Sequence, residues 1–150
     1  MKLFILLLLC FSQTVLADLY LIAHKNFAVD SVDAPTIKGI YSGDTQFINN
    51  IRIIPLDQNI NSENYSRFYG TVVDRPMAQI ISHWSKLIFT GKGQAPISLS
   101  GDMSIINFVQ NNPNAIGYIE PKFINSNVKI IHKIKITRYK ELDIDSLKNR

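Results

Sequence analysis

The chain has 150 residues, 46% of them hydrophobic, and its 16 Lys and Arg against 12 Asp and Glu give a formal charge of +4. That length supports one ordinary domain with its own core and not two. Half of the Lys and Arg lie beyond residue 120, and no basic cluster is interleaved with stacking aromatics, which argues against nucleic acid as a partner.

Lys2 makes the start positive, and Leu3 to Phe11 is an unbroken apolar run. The run is too short for a bilayer span of about 20 residues. Val15-Leu16-Ala17 then places small or short residues where a signal peptidase reads. We expect a signal peptide over residues 1–17, cleavage after Ala17 and a periplasmic protein. A lipoprotein anchored through Cys10 fits less well, because Leu9 stands where its peptidase requires a small residue. Cleavage also removes Cys10, the only cysteine, so stability must come from a core and not from disulfides. Residues 18–139 form the expected domain, and 140–150 a charged, frayed tail.

Leu19 to Ala23 is a short apolar run without helical spacing, which predicts a buried strand. Asp33 can cap a brief helix with Pro35 in its first turn, Ile37, Ile40 and Tyr41 on its inner face, and Gly43 at its end. A second strand is expected over Arg52 to Leu56, broken near its end by Pro55. After the asparagine-rich Gln58 to Asn64, Ser62 precedes Tyr65, Phe68, Tyr69 and Val72, spaced i, i+3, i+4, i+7, so a helix begins there. The next helix should be capped by Asp74, with Pro76 in its first turn and Met77, Ile80, Ile81, Trp84, Leu87 and Ile88 as one apolar stripe. Gly91 and Gly93 break the chain after it. Ser98 to Asp102 reads as a capping segment, with Ser100 or Asp102 capping a helix that carries Met103, Ile106 and Val109 and stops at Asn112-Pro113. Ala115 to Ile119 should be a buried strand in which Gly117 permits close backbone approach. Lys133-Ile134-Lys135-Ile136, within Val128 to Ile136, alternates as a half-exposed strand does. Strands alternating with helices predict an α/β sheet layered by helices.

Few constellations carry chemistry. Thr90-Gly91-Lys92-Gly93 could cradle a phosphate, but it lacks P-loop spacing and follows a helix, so a glycine C-cap with an exposed lysine explains it as well. His24, His83 and His132 are scattered, and no spacing unites them as metal ligands. No Gly-x-Ser-x-Gly elbow is present, and Asp143 with Asp145 falls in the tail, so an enzyme is not expected and no cofactor is called for. Trp84, Tyr41, Tyr65, Phe68 and Tyr69 have the spacing of core packing more than of a pocket lining. Lys133 and Lys135 could dock an acidic partner or simply face solvent.

Several segments together resemble one lobe of the substrate-binding protein of bacterial phosphate ABC transporters, a type 2 periplasmic binding protein. They are Asn26 after the first strand, Ile40-Tyr41-Ser42-Gly43, the strand running into Pro55, Phe68, Trp84 with Phe89-Thr90-Gly91, and Pro113-Asn114-Ala115-Ile116-Gly117-Tyr118. The chain is also similar to small secreted single-lobe proteins of this kind. The resemblance implies a single periplasmic-binding-protein-like lobe, α/β, with a mixed sheet flanked by helices. It further implies non-enzymatic binding of phosphate or another small oxyanion at Asp57, Ser62 and Asn64, with Thr90 and Lys92 as further candidates. In the family an arginine and a Ser-Gly-Thr helix start hold the anion, whereas here Asp57 stands near the arginine position and Ser62-Glu63-Asn64 replaces the triplet. A carboxylate at these places repels a phosphate dianion unless it accepts a proton from the ligand. A single lobe also leaves its ligand half solvated, so affinity should be millimolar or weaker, about 4 kcal/mol or less. A homodimer, or a membrane transporter, receptor or sensor, could supply the missing half. The alternative function is an interaction module that kept the scaffold and lost the site.

Overall fold

A computed structural model describes residues 17–136. The expected leader (1–17), apart from Ala17, and the charged tail (140–150) therefore lie outside the described residues. A five-stranded mixed sheet runs in the order β5-β4-β6-β1-β7. Its strands are β1 (Leu19–His24), β4 (Ile54–Gln58), β5 (Ile97–Leu99), β6 (Ala115–Ile119) and β7 (Val128–Ile134). Strands β5, β4 and β6 are parallel, while β1 pairs antiparallel with both β6 and β7. On one face lie α1 (Ala34–Ser42), α2 (Glu63–Phe68) and α3 (Met77–Phe89), and on the other α4 (Asp102–Asn111). The sheet thus separates two cores, as a layered α/β lobe requires.

Helix α1 forms as its sequence predicts. The Asp33 carboxylate accepts from Thr36 N at 3.0 Å, Pro35 sits in the first turn, and Gly43 ends the helix at φ +76°. A side chain at Gly43 would meet Leu87 and Trp84 at 2.9 Å, so packing and backbone both demand glycine here. Gly117 shows the close approach expected of it, since a Cβ there would lie 2.5 Å from Ile105 Cγ2.

The structure departs from expectation at four places. The segment expected as one strand, Arg52 to Leu56, is divided. Ile51–Arg52 (β3) forms a hairpin with Phe47–Ile48 (β2), and β4 begins at Ile54. Asn49 and Asn50 turn that hairpin at φ +44° and +67°, a conformation asparagine tolerates. Pro55 does not break β4. Ile54 N donates to Asn114 O on the β6 side, so the N–H that Pro55 lacks would point to the β5 side, where pairing starts only at Leu56.

The second departure is Asp74, which does not cap α3. Helix α2 continues into a π turn, Tyr69–Val73, and Asp74 closes it at φ +56° with its N–H on Tyr69 O; α3 then starts after Pro76 without a side-chain cap. Third, the apolar stripe of α3 is only partly buried. Ile80 and Trp84 enter the core, Met77 and Leu87 pack at its margin, and Ile81 and Ile88 are exposed. Fourth, Ser98 and Leu99 of the expected capping segment belong to the edge strand β5, which starts at Ile97. Neither Ser100 nor Asp102 caps α4. Gly101 occupies that position, Ser100 Oγ bonds Ser104 Oγ at 2.7 Å, and Met103 faces out while Ile105, Ile106 and Val109 are buried.

Candidate functional site

The chain leaves β4 toward β5 on one side, and β6 lies on the other. This creates a switch point between the carboxyl ends of β4 and β6, the place where open α/β sheets put ligands. Alternation along β4 sends Leu56 to the α4 core and Asp57 to the opposite one, among Tyr41, Tyr69 and Tyr118. Asp57 is only 5% exposed. Tyr69 donates its hydroxyl to Asp57 Oδ2 at 2.7 Å, and Tyr118 donates to Oδ1 at 3.0 Å while accepting from Gln58 N at 3.3 Å. Burial pushes the Asp57 carboxyl up to about 7, against the two hydroxyl donors that favour its ionised form. The same burial, with the Asp57 charge close by, pushes the Tyr65 hydroxyl to about 12 and raises those of Tyr69 and Tyr118 well above their ordinary value. Rings close the cage: Phe68 stacks on Tyr118 with centroids 3.9 Å apart, and Tyr65 stacks on Tyr69 at 4.4 Å.

Above this cage, at the rim of the switch point, the remaining polar groups are paired with one another. Ser62 Oγ accepts from Tyr65 N at 3.1 Å and caps α2. Asn64 Nδ2 donates to Glu120 Oε1 at 3.3 Å, and Lys122 Nζ lies 2.9 Å from Glu120 Oε2. Hydrogen bonding from Lys122, together with Asn64 and the charges of Lys122 and Arg67, holds the Glu120 carboxyl below its ordinary range despite partial burial. Asp102 Oδ1 accepts from Glu120 N at 2.8 Å and from Gln58 Nε2 at 3.3 Å, and Gln58 Nε2 also reaches Tyr118 O at 3.1 Å. Arg67 pairs with Glu63, but its buried Nε has no acceptor.

Thr90 and Lys92 lie at the other end of the parallel strands. Thr90 Oγ1 donates back to Lys86 O at 2.8 Å within the last turn of α3, and Gly91 ends that helix at φ +66°. Lys92 instead borders an open pocket of about 620 Å³ at the amino ends of β4 and β5, shared with Arg52, Trp84 and Ile97. The five sequence-derived site residues therefore divide. Asp57, Ser62 and Asn64 lie at the same end of the sheet, Asp57 and Asn64 both buried, and Thr90 and Lys92 lie apart from them. Sequence reasoning missed Gln58, Asp102 and Glu120, which tie the carboxyl-end crevice together. The available signal was their position, since Gln58 is the last residue of β4, Glu120 the first after β6 and Asp102 the first of α4. The histidines remain separate: His83 Nε2 lies 2.6 Å from Ser42 O, His132 Nδ1 lies 2.7 Å from Val32 O, and His24 Nδ1 accepts from Asn26 N. Among the described residues no group of His, Cys, Asp and Glu could hold a metal ion.

Solved structures share this fold. A phosphate ABC transporter substrate-binding protein from Clostridium perfringens, with bound phosphate, is 23% identical with a TM-score of 0.63, covering 77% of this chain and 44% of that one. An ABC-type phosphate transport receptor from Vibrio cholerae is 14% identical (TM-score 0.61, 77% and 46%). PstS from Borrelia burgdorferi is 16% identical (TM-score 0.60, 88% and 53%). The chain has the fold of one lobe of these phosphate-binding proteins. It spans about half of their length. No protein-family model and no curated protein matches it. At these identities the likeness extends to the lobe's architecture, and the chemistry of the crevice must be read from this chain's own residues.

Proposed function

We propose that the protein is an exported, non-enzymatic interaction module on a solute-binding scaffold, which docks a membrane transporter, receptor or sensor in the periplasm and does not hold phosphate by itself. The observation that carries this reading is the self-pairing of the carboxyl-end crevice. Ser62 Oγ and the Asn64 amide already have internal partners, and the Asp102 and Glu120 carboxyls belong to the same hydrogen-bonded network. A dianion there would displace existing hydrogen bonds and meet like charge. The sequence from Lys2 to Ala17 supports export.

Weak phosphate or oxyanion binding, linked to ABC-type uptake or sensing, is the second reading. It draws on the lobe's likeness to phosphate-binding proteins and on the unmatched Nε of Arg67, whose guanidinium pairs with Glu63. A homodimer or partner would then close the open half. Thermal melting separates the two. The module reading expects tens of millimolar phosphate or sulfate to leave the melting temperature unmoved, apart from the general salt effect seen with chloride. A phosphate-dependent rise that disappears in Ser62→Ala or in Asn64→Ala would instead establish the oxyanion reading. Crosslinking in the periplasm should recover a membrane protein. Strand β7 ends at Ile134 and not at Ile136 as expected, so reversing Lys133 on it and Lys135 just beyond it to Glu should reduce that recovery if this sheet edge is the docking face.

A further inference from the structure

The pocket at the amino ends of β4 and β5 has a composition opposite to that of the crevice. No acidic side chain borders it, and its two charged residues are Arg52 and Lys92. Neither forms an ion pair among the described residues. The side-chain amides of Gln46 and Gln94, also on its border, have no intramolecular partner there. Beside Lys92, the consecutive backbone N–H groups of Gly93, Gln94 and Ala95 donate to no acceptor among the described residues. The other wall is apolar, formed by Trp84, Ile40, Ile53, Ile88 and Ile97, and both Ile88 and Ile97 are exposed although large. Unengaged donors and cations on one side and apolar surface on the other make the pocket amphipathic. Its volume of about 620 Å³ falls within the range of small-molecule sites, about 300–1,000 Å³.

We propose that this pocket binds a small organic carboxylate with an apolar body. The carboxylate would lie between Arg52 and Lys92 and the Gly93–Ala95 amides, and its body would cover Trp84, Ile88 and Ile97. Arg52 matches a carboxylate through paired N–H donors, Lys92 adds a point charge, and both gain from a wall that excludes water on one side. Inorganic phosphate is a poor match because it offers nothing to the apolar wall. The site is distinct from the carboxyl-end crevice and does not depend on the function proposed for it.

Trp84 is the only tryptophan of the chain, so its fluorescence reports on this pocket directly. The probe is 3-iodobenzoate, whose heavy atom quenches indole emission on contact. Uncharged 3-iodobenzamide and inorganic phosphate serve as comparisons. Saturable quenching by 3-iodobenzoate is expected, at least tenfold tighter than by the benzamide, with little competition from equimolar phosphate. The double variant Arg52→Gln/Lys92→Gln should weaken the benzoate at least tenfold and leave the melting temperature unchanged, because both side chains are exposed and unpaired. Quenching that rises linearly without saturation would overturn the proposal. So would equal affinity for benzoate and benzamide, full displacement by equimolar phosphate, or a double variant that binds like the parent.

Discussion

At the carboxyl ends of β4 and β6, hydroxyls, amides and carboxyls close on one another over a cage of stacked rings, whereas at the amino ends of β4 and β5 two cations and three backbone amides face an open pocket without partners. The first region resembles a protein interior that reaches the surface, and the second resembles a surface prepared for an incoming group. The contrast teaches that the position of a site in a fold and its readiness to bind are separate properties. The switch point offers the former, and this chain has filled it with its own side chains.

The sharpest way to break that comparison is through Asp57. Its carboxyl keeps a proton to about pH 7 in the folded protein, while in the unfolded chain it releases it near its ordinary value of 3.8. Between those values the folded state binds more protons, so its contribution to stability falls as pH rises from about 4 to about 7 and is level above. A displacement of about three units corresponds to about 4 kcal/mol. Asp57→Asn should abolish this fall, and chemical denaturation at pH 5 and pH 8 measures it as the difference between variant and parent. If parent and variant keep the same spacing at both pH values, burial does not outweigh the two hydroxyl donors at Asp57.

Gly117→Ala should also be costly, because its Cβ would lie 2.5 Å from Ile105 Cγ2 and 3.3 Å from Leu56 Cβ. Overpacking of this kind destabilises by about 1–3 kcal/mol. Gly91→Ala, at the open end, meets nothing within 4 Å and bears only the left-handed backbone penalty, about 1 kcal/mol. Urea denaturation of the pair therefore tests whether one end is packed and the other open, and equal losses would contradict it. Tyr69→Phe removes one donor from Asp57 and should cost about 1.5–3 kcal/mol at pH 8, where the carboxylate is ionised. The loss should shrink at pH 5. Smallest of all, Arg52→Gln alone should change stability by less than about 0.5 kcal/mol, as expected for an exposed side chain without partners.

Much of the lobe was legible because single residues enforce its local geometry. Asp33, Pro35 and Gly43 delimit α1 through a side-chain cap, a fixed φ and a left-handed end, and these act within a few residues of one another. Asn112-Pro113 stops α4 for the same local reason. What escaped depends on distant partners. Strand β5 has only three residues and becomes a strand by pairing with Leu56, Asp57 and Gln58. The stripe of α3 reads as one face, yet the core reaches only Ile80 and Trp84. Asp74 has a capping side chain, but the π turn before it fixes its backbone in the left-handed region. For the candidate site, Asp57, Ser62 and Asn64 are close in the sequence itself, but nothing in it signals that Tyr69 and Tyr118 enclose the first of them. Alternation along β4 and β6 contains that information only once their register is known.

The antiparallel placement of β1 also bears on how the molecule is made. Its partners are β6 and β7, with Tyr20 opposite Ile119 and Leu19 opposite Ile134. During synthesis the first strand therefore has no neighbour until the last strands of the sheet exist. Contacts so distant in sequence form slowly, since the intervening loop must close before pairing stabilises it. The segment preceding Leu19 thus stays attached to an unpaired strand for most of the chain's elongation, and the sheet is completed only when the carboxyl-terminal part arrives.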